Sequence, residues 1–337
     1  MVGKKKIAMI ISSILLIGAF TGCNKTVSVE DGTSNVEKVY EIGISQIVQH
    51  PALDLAKDGF IEGLKEKGFE EGKNIKIDYQ NAQGDSPTSQ TIAQKFASEK
   101  KDLILAIATT SVQAAYNATK EIPIVFTAVT DPVEAGIAKG WKSSENNITG
   151  VSDMVPVDKQ LELLLSLKKD IKTLGFIYNT SEANSTVQLE TVKNEAKKLN
   201  INIKEIGVTN VNEINQNLTA AIKEIDALYT PTDNTVASAY DLVGQIAIKN
   251  NVAILGGEEA VVPKGGLCSI GIDYFKLGKE SGYKAAQILN GKKPEEIEIT
   301  TLSEMSIKIN SDVASKLNIE IPNDIKDEAT LVTGGVN

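Results

Sequence analysis

Residues 102–136 read DLILAIATTSVQAAYNATKEIPIVFTAVTDPVEAG, and their order decides the fold. Residues 102–108 are a short apolar run, the pattern of a strand covered on both faces. The polar turn Thr109-Thr110-Ser111 follows, and residues 112–119 then take up helical spacing. Thr110 and Gln113 stand in the relation of a capping box. A second apolar run, residues 122–126, ends in Thr127-Ala128-Val129-Thr130-Asp131-Pro132. Two neighbouring strands of a parallel sheet thus deliver hydroxyls, free backbone N–H groups and a carboxylate to the carboxyl edge, where open α/β sheets bind ligands. A helix N-terminus at that edge suits an anion, because its first N–H groups lack partners and its dipole is positive.

Outward from this stretch, the same order of elements occurs twice. Strands are expected at 39–45, 74–81, 102–108, 122–126 and 147–153, with helices at 54–67, 89–100, 112–119 and 157–169. From residue 172 the series restarts, with strands at 173–178, 202–210, 227–229, 252–255 and 265–274, helices at 186–199, 212–224, 236–250 and 276–289, and a last strand over 301–310. NIKEIGVTN at 202–210 echoes NIKIDYQN at 74–81. The turn at 230–234 stands where 108–111 stood, and that at 256–259 where 127–131 stood. The fold class expected is α/β, two doubly wound parallel-sheet lobes joined by three crossover strands. The first lobe takes residues 38–150 and 274–298, the second 151–273 and 299–325, and 326–337 form a polar tail. Three crossings make a hinge, and hinged lobes with facing strand tips make a cleft that closes on a ligand.

The N-terminal end reads as a targeting segment. Lys4, Lys5 and Lys6 precede an apolar run over residues 7–20 that is too short for an ordinary transmembrane span. Thr21-Gly22-Cys23 resembles the lipobox of bacterial lipoproteins, although Phe20 replaces the usual aliphatic residue. Residues 1–22 are then a lipoprotein signal peptide, Cys23 the lipidated residue and 23–37 a polar tether. An ordinary secretory signal is the alternative. Removing the leader deletes three lysines and no acids, taking the formal charge from −9 to −12. That balance argues against nucleic acid as a partner and against an electrostatic membrane patch. Cys268 is the cysteine left in the mature chain, so no internal disulfide supports the fold.

The cleft is expected to receive Gln46, with His50 nearby, Thr109, Thr110, Ser111, Thr127 and Asp131 from the first lobe. From the second come Asn184, Ser185, Asp233, Asn234 and Glu258, and from the crossings Asp153 and Asp273. One side is rich in hydroxyls and helix N–H groups, the other in carboxylates and amides, a polarity that fits a zwitterion. Singly, Thr110, Asp233 and Asn234 also read as caps or turn formers, and Phe126, Tyr178 and Tyr229 as core or as an aromatic slot. One histidine and one mature cysteine leave no room for a His-rich metal site or a Cys/His pair. Neither a P-loop, a G-x-G-x-x-G nor a G-x-S-x-G occurs. Neither catalysis, a metal nor a cofactor is therefore expected.

Four motifs together carry a resemblance: HPALD near the first helix, IPIVFTAVTDPVEAG, NITGVSD at the first crossing and GIDYFKLG at the second. With them the chain resembles the ABC-transporter substrate-binding lipoproteins of the tryptophan/tyrosine-uptake type, over residues 39 to about 323. The resemblance implies a type I periplasmic-binding-protein fold, an aromatic amino acid as ligand and an ABC permease as partner; together with the leader and Cys23, the expectation is a monomer held by a lipid anchor on the outer face of a monoderm cell membrane. It carries site roles onto Thr109–Ser111, Thr127–Asp131, Asn184, Asp233, Asn234, Glu258 and Asp273. Three other classes stay open: a surface adhesin with a secondary ligand site, a sensor domain, and an enzyme. The leader counts against the sensor and the residue inventory against the enzyme.

Overall fold

A computed structural model describes residues 38–336. The signal peptide (1–22), the tether (23–37) and lipidation of Cys23 lie outside the described residues.

The chain alternates strand and helix through β1 (Tyr40–Gln46), α1 (Pro51–Glu66), β2 (Ile75–Asn81), α2 (Ser86–Ser98), β3 (Leu103–Ile107), α3 (Thr109–Ala118), β4 (Ile124–Val129) and β5 (Ile148–Ser152). It passes to α4 (Val157–Leu167), β6 (Thr173–Asn179), α5 (Ala183–Lys198), β7 (Asn202–Val208), α6 (Ile214–Ala221), β8 (Ala227–Thr230), α7 (Asn234–Ala237), α8 (Tyr240–Lys249), β9 (Ala253–Gly256) and β10 (Cys268–Gly271). The last elements are α9 (Tyr274–Leu289), β11 (Thr300–Thr301), β12 (Ser306–Asn310), α10 (Ser311–Lys316), α11 (Asn323–Glu328) and β13 (Ala329–Val332).

Two sheets result. The first, in the order β11-β5-β4-β3-β1-β2, is parallel throughout. The second, β13-β12-β10-β9-β8-β6-β7, is parallel except that β12 runs antiparallel to β10. Most of the parallel strands are joined by crossover helices, which cover the sheet faces; every residue of β3, β4 and β5 is buried. The second sheet buries Phe176 and Tyr229 on one face, their rings stacked 5.4 Å apart, while Ile177 and Ile254 pack on the other.

Helix α1 opens with Pro51 at its first position and ends before Gly68, whose φ of 88° closes the turn. It lies directly on α9. A Cβ on Gly278 would fall 1.8 Å from the Ala56 carbonyl oxygen, and one on Gly59 2.0 Å from that of Phe275. This close pair fixes α9 to the first lobe although it follows the second in sequence.

The structure moves several expected boundaries. β5 belongs wholly to the first sheet, so the first crossing begins after Ser152 rather than at residue 151. The strand expected over 301–310 is two strands in two sheets: β11 pairs with β5 and β12 with β10, and residues 302–305 form the third crossing. The expected tail includes β13, which extends the second sheet beside β12. The helix expected over 236–250 is broken into α7 and α8 at Ser238 and Ala239. Among the described residues no helix is long and apolar enough to cross a membrane.

Candidate functional site

The carboxyl ends of β3 and β4 carry two alanines with left-handed backbone, Ala108 at φ 74° and Ala128 at φ 57°. Such values are uncommon outside glycine and mark local strain. Ala108 is the N-cap of α3 and offers no side-chain cap. Thr110 therefore sits inside the helix, and Gln113 donates to the Ala135 carbonyl at 3.0 Å instead of closing a capping box. That expectation fails because the strained alanine starts the helix two residues earlier. Ala128 lies at an irregularity in the β4–β5 register. Beside these turns, the Thr109, Ser111 and Thr127 hydroxyls are buried and meet no hydrogen-bond partner among the described residues.

Opposite them, lobe two brings the turn between β8 and α7. The lobes touch where Thr130 Oγ1 lies 3.1 Å from Thr232 Oγ1, and where His50 Nε2 lies 3.4 Å from Asn234 Oδ1. Between the lobes, His50, Leu53, Ala128, Asp153, Thr232, Asp233, Asn234, Glu258 and Tyr274 enclose a gap of about 10 Å³, room for about one water. An outer cleft of about 490 Å³ opens beside it, reached by Thr110, Asn179, Glu182 and Asn234. The lobes are closed in this conformation, and a larger ligand reaches the gap only when they part.

Acids dominate the inner gap. Asp153, on the first crossing, accepts from the Tyr274 hydroxyl at 2.9 Å through Oδ2, while its Oδ1 has no partner among the described residues. Burial pushes its pKa up to about 6. Glu258, in the turn after β9, is buried, and its Oε1 has no partner among the described residues. Burial, then the neighbouring Asp153 charge, push it up to about 8 against the pull of the Tyr240 and Tyr274 hydroxyls. His50 is pushed down to about 4 by burial, and is neutral near pH 7.

The expected residues fall into two groups. Gln46 is buried at the cleft edge, its Nε2 donating to the Val48 carbonyl and to Asp54 Oδ1, its Oε1 without a partner among the described residues. Asn184 donates to the Thr232 carbonyl at 2.8 Å and Asn234 to Glu182 Oε2 at 2.6 Å. Of the expected residues, Thr110 lines the outer cleft, Asn234 both the cleft and the inner gap, and Glu258 the inner gap, whereas Gln46, Thr109, Ser111, Thr127 and Asn184 are buried and line neither. Asp233 lines the gap, but its carboxylate is fully engaged. It accepts from Asn179 N at 2.7 Å, Ser185 Oγ at 2.6 Å and Val236 N at 2.8 Å, which makes it the cap of α7. Asp131 caps its own turn through Val133 N and Glu134 N. Asp273 is exposed and caps α9 through Phe275 N and Lys276 N, so it lines no part of the inner gap. Phe126 is wholly core and Tyr229 donates to Gln160 Oε1 at 2.5 Å, so neither forms an aromatic slot.

Sequence reasoning missed Tyr274, Thr232 and Glu182, and reached Thr130 only as part of the turn Thr127–Asp131. Glu182 accepts from the backbone N–H groups of both Asn234 and Thr235 and so supports the α7 turn. Tyr274 had a signal, its place at the second crossing inside GIDY.

The family model described as "ABC transporter substrate binding protein" matches residues 41–333. A tyrosine-binding protein of Clostridioides difficile is 46% identical over 321 residues, 94% of this chain and 93% of its own length. A Streptococcus pneumonia protein solved in complex with L-Trp superposes with a TM-score of 0.85 at 35% identity, covering 88% of this chain and all of its own. The ligand-free, open structure of a Clostridium difficile substrate-binding protein with adhesive properties gives only 0.67 at 46% identity, with the same coverage. More distant solute-binding proteins share the fold alone. In this chain the lobes meet over the inner gap. By the reach of the family match and by this identity to a curated relative, the chain belongs to the family of ABC transporter substrate-binding proteins.

Proposed function

We propose that this protein captures an aromatic amino acid (tyrosine, tryptophan or phenylalanine) between its lobes, closes about the three crossings, and presents the ligand to an ABC permease from a lipid anchor at Cys23. One observation carries the reading: Asp153 and Glu258 line one inter-lobe gap whose lining holds no lysine, and each has a buried carboxyl oxygen without a partner among the described residues. A buried acid pair of this kind calls for a cation, and a ligand ammonium supplies it. The chain contains no arginine. A ligand carboxylate therefore meets no guanidinium fork, and the Thr109, Ser111 and Thr127 hydroxyls with the first-turn N–H groups of α3 are the donors suited to it. Aromatic side chains are favoured by the relatives, one described as tyrosine-binding and one solved with L-Trp.

Thermal melting of the protein against each of the twenty amino acids tests this. An aromatic amino acid at a hundredfold excess over its Kd adds about 2.7 kcal/mol of stability. A melting temperature that no aromatic amino acid moves would remove the ligand assignment.

A further inference from the structure

We infer that in the ligand-free, closed molecule Asp153 and Glu258 keep one proton between them, and that capture of the ligand's ammonium expels this proton to solvent. The inference rests on the functional reading above and adds to it what the site does with charge.

The geometry leaves each residue a buried carboxyl oxygen without a hydrogen-bond partner among the described residues. The Tyr274 hydroxyl occupies Asp153 Oδ2, while Asp153 Oδ1 and Glu258 Oε1 are buried without partners among the described residues, and both residues line the gap. Two ionised carboxyls in so small and enclosed a space repel, and neither has water enough to screen it. The neighbouring elements offer no positive charge. Tyr240 of α8 and Tyr274 of α9 are phenols that burial keeps protonated. His50, before α1, is neutral, with Asp54 behind it. Asp233, before α7, and Glu182 beside it are acids and supply no positive charge. Lys308 of β12 is paired with Glu259 at 2.5 Å and not with Glu258. Burial accordingly favours the protonated form of Glu258 at neutral pH.

The exchange balances. Before binding, Asp153 is a carboxylate and Glu258 an acid. Afterwards both are carboxylates flanking an ammonium, and the Glu258 O–H bond is the one broken. One positive charge enters with the ligand and one leaves as a proton, so the charge of the site is unchanged. A primary ammonium is therefore selected over a neutral amide of the same shape, and binding tightens as pH rises toward the Glu258 pKa.

Titration calorimetry of the full chain tests this with L-tyrosine, L-tryptophan and L-phenylalanine, at about pH 7 in phosphate and in Tris, whose ionisation heats differ. The expected binding heats differ between the buffers by the equivalent of about one proton, and Kd falls about tenfold per pH unit from about pH 6 to 8. Glu258→Gln, shown folded by its cooperative melt, binds more weakly with heats that no longer depend on buffer. Normal binding with buffer-independent heats in the unaltered chain would overturn the inference and leave the functional reading standing. So would undiminished proton release from Glu258→Gln. Binding of none of the three amino acids would overturn the functional reading, and this inference with it.

Discussion

Asp233 shows how one residue type in one place supports two chemistries. An acid at a strand tip facing a cleft suits an ammonium, and an acid before a helix suits a cap. The structure decides for the cap, since three donors already fill the carboxylate. Asp233→Ala is expected to cost stability first: loss of the cap, about 1 kcal/mol, and stranding of buried donors at about 1–3 kcal/mol more, read by denaturant unfolding. Unchanged stability with lost binding would return Asp233 to the ligand. The acids also set a pH dependence. Glu258, raised from 4.5 to about 8, keeps a proton in the fold that the unfolded chain has released. Its contribution is fully present below about pH 4.5 and is lost as pH rises through about 8. Asp233, raised by burial and by Glu182, acts in the same direction. His50, lowered from 6.5 to about 4, acts oppositely, but only below about pH 6.5. Between about pH 6.5 and 8 the ligand-free protein should therefore lose about 1.4 kcal/mol per pH unit through Glu258. Glu258→Gln flattens that slope in denaturant melts, and an equally steep slope in the variant would contradict the assignment. Glu258 and Asp153 were legible in the sequence because turns after apolar runs name their own place. Tyr274 and the Thr130–Thr232 contact were not, since their partners lie 121 and 102 residues away and only the fold brings them near.

Among the elements, α9 is the one that makes the second crossing matter. Its first residue, Tyr274, closes the inner gap, and its body is locked to α1 through glycines that leave no space for a Cβ. Motion of the crossing therefore carries His50 at the start of α1 with it. Gly278→Val is expected to destabilise by about 3 kcal/mol or more, because the obstacle is backbone and cannot rotate away. A melt within about 1 kcal/mol of the unaltered protein would show that the helices separate easily. Most elements were legible from period and punctuation. The exceptions share a cause: the deciding signal was tertiary. Residues 301–310 alternate without a Gly or Pro, so nothing local shows that the chain changes sheet at 302–305. Nothing in residues 236–250 announces the break at Ser238 and Ala239. The start of α3 at a left-handed alanine runs against the usual capping preference and could not be read from letters.

At the scale of the whole molecule, one parallel and one mostly parallel sheet set their strand tips against each other and leave a closed inner gap beneath an open outer cleft. The gap admits little more than a water, so capture requires the lobes to part and re-form around the ligand. A ligand biases that equilibrium only by the difference in its affinity for the two arrangements. Contacts that bridge the two lobes, such as His50 to Asn234 and Thr130 to Thr232, are where such a difference accumulates. The doubled order of elements made this architecture visible in the sequence; the degree of closure was not, because it depends on a balance of weak contacts across the cleft. The most direct test is a crystal structure of the protein grown with the aromatic amino acid that stabilises it most. The account predicts closed lobes, with the ligand ammonium within about 3 Å of Asp153 Oδ1 and Glu258 Oε1 and its carboxylate at the first turn of α3. An aromatic amino acid seated elsewhere, with those two oxygens unengaged, would contradict it.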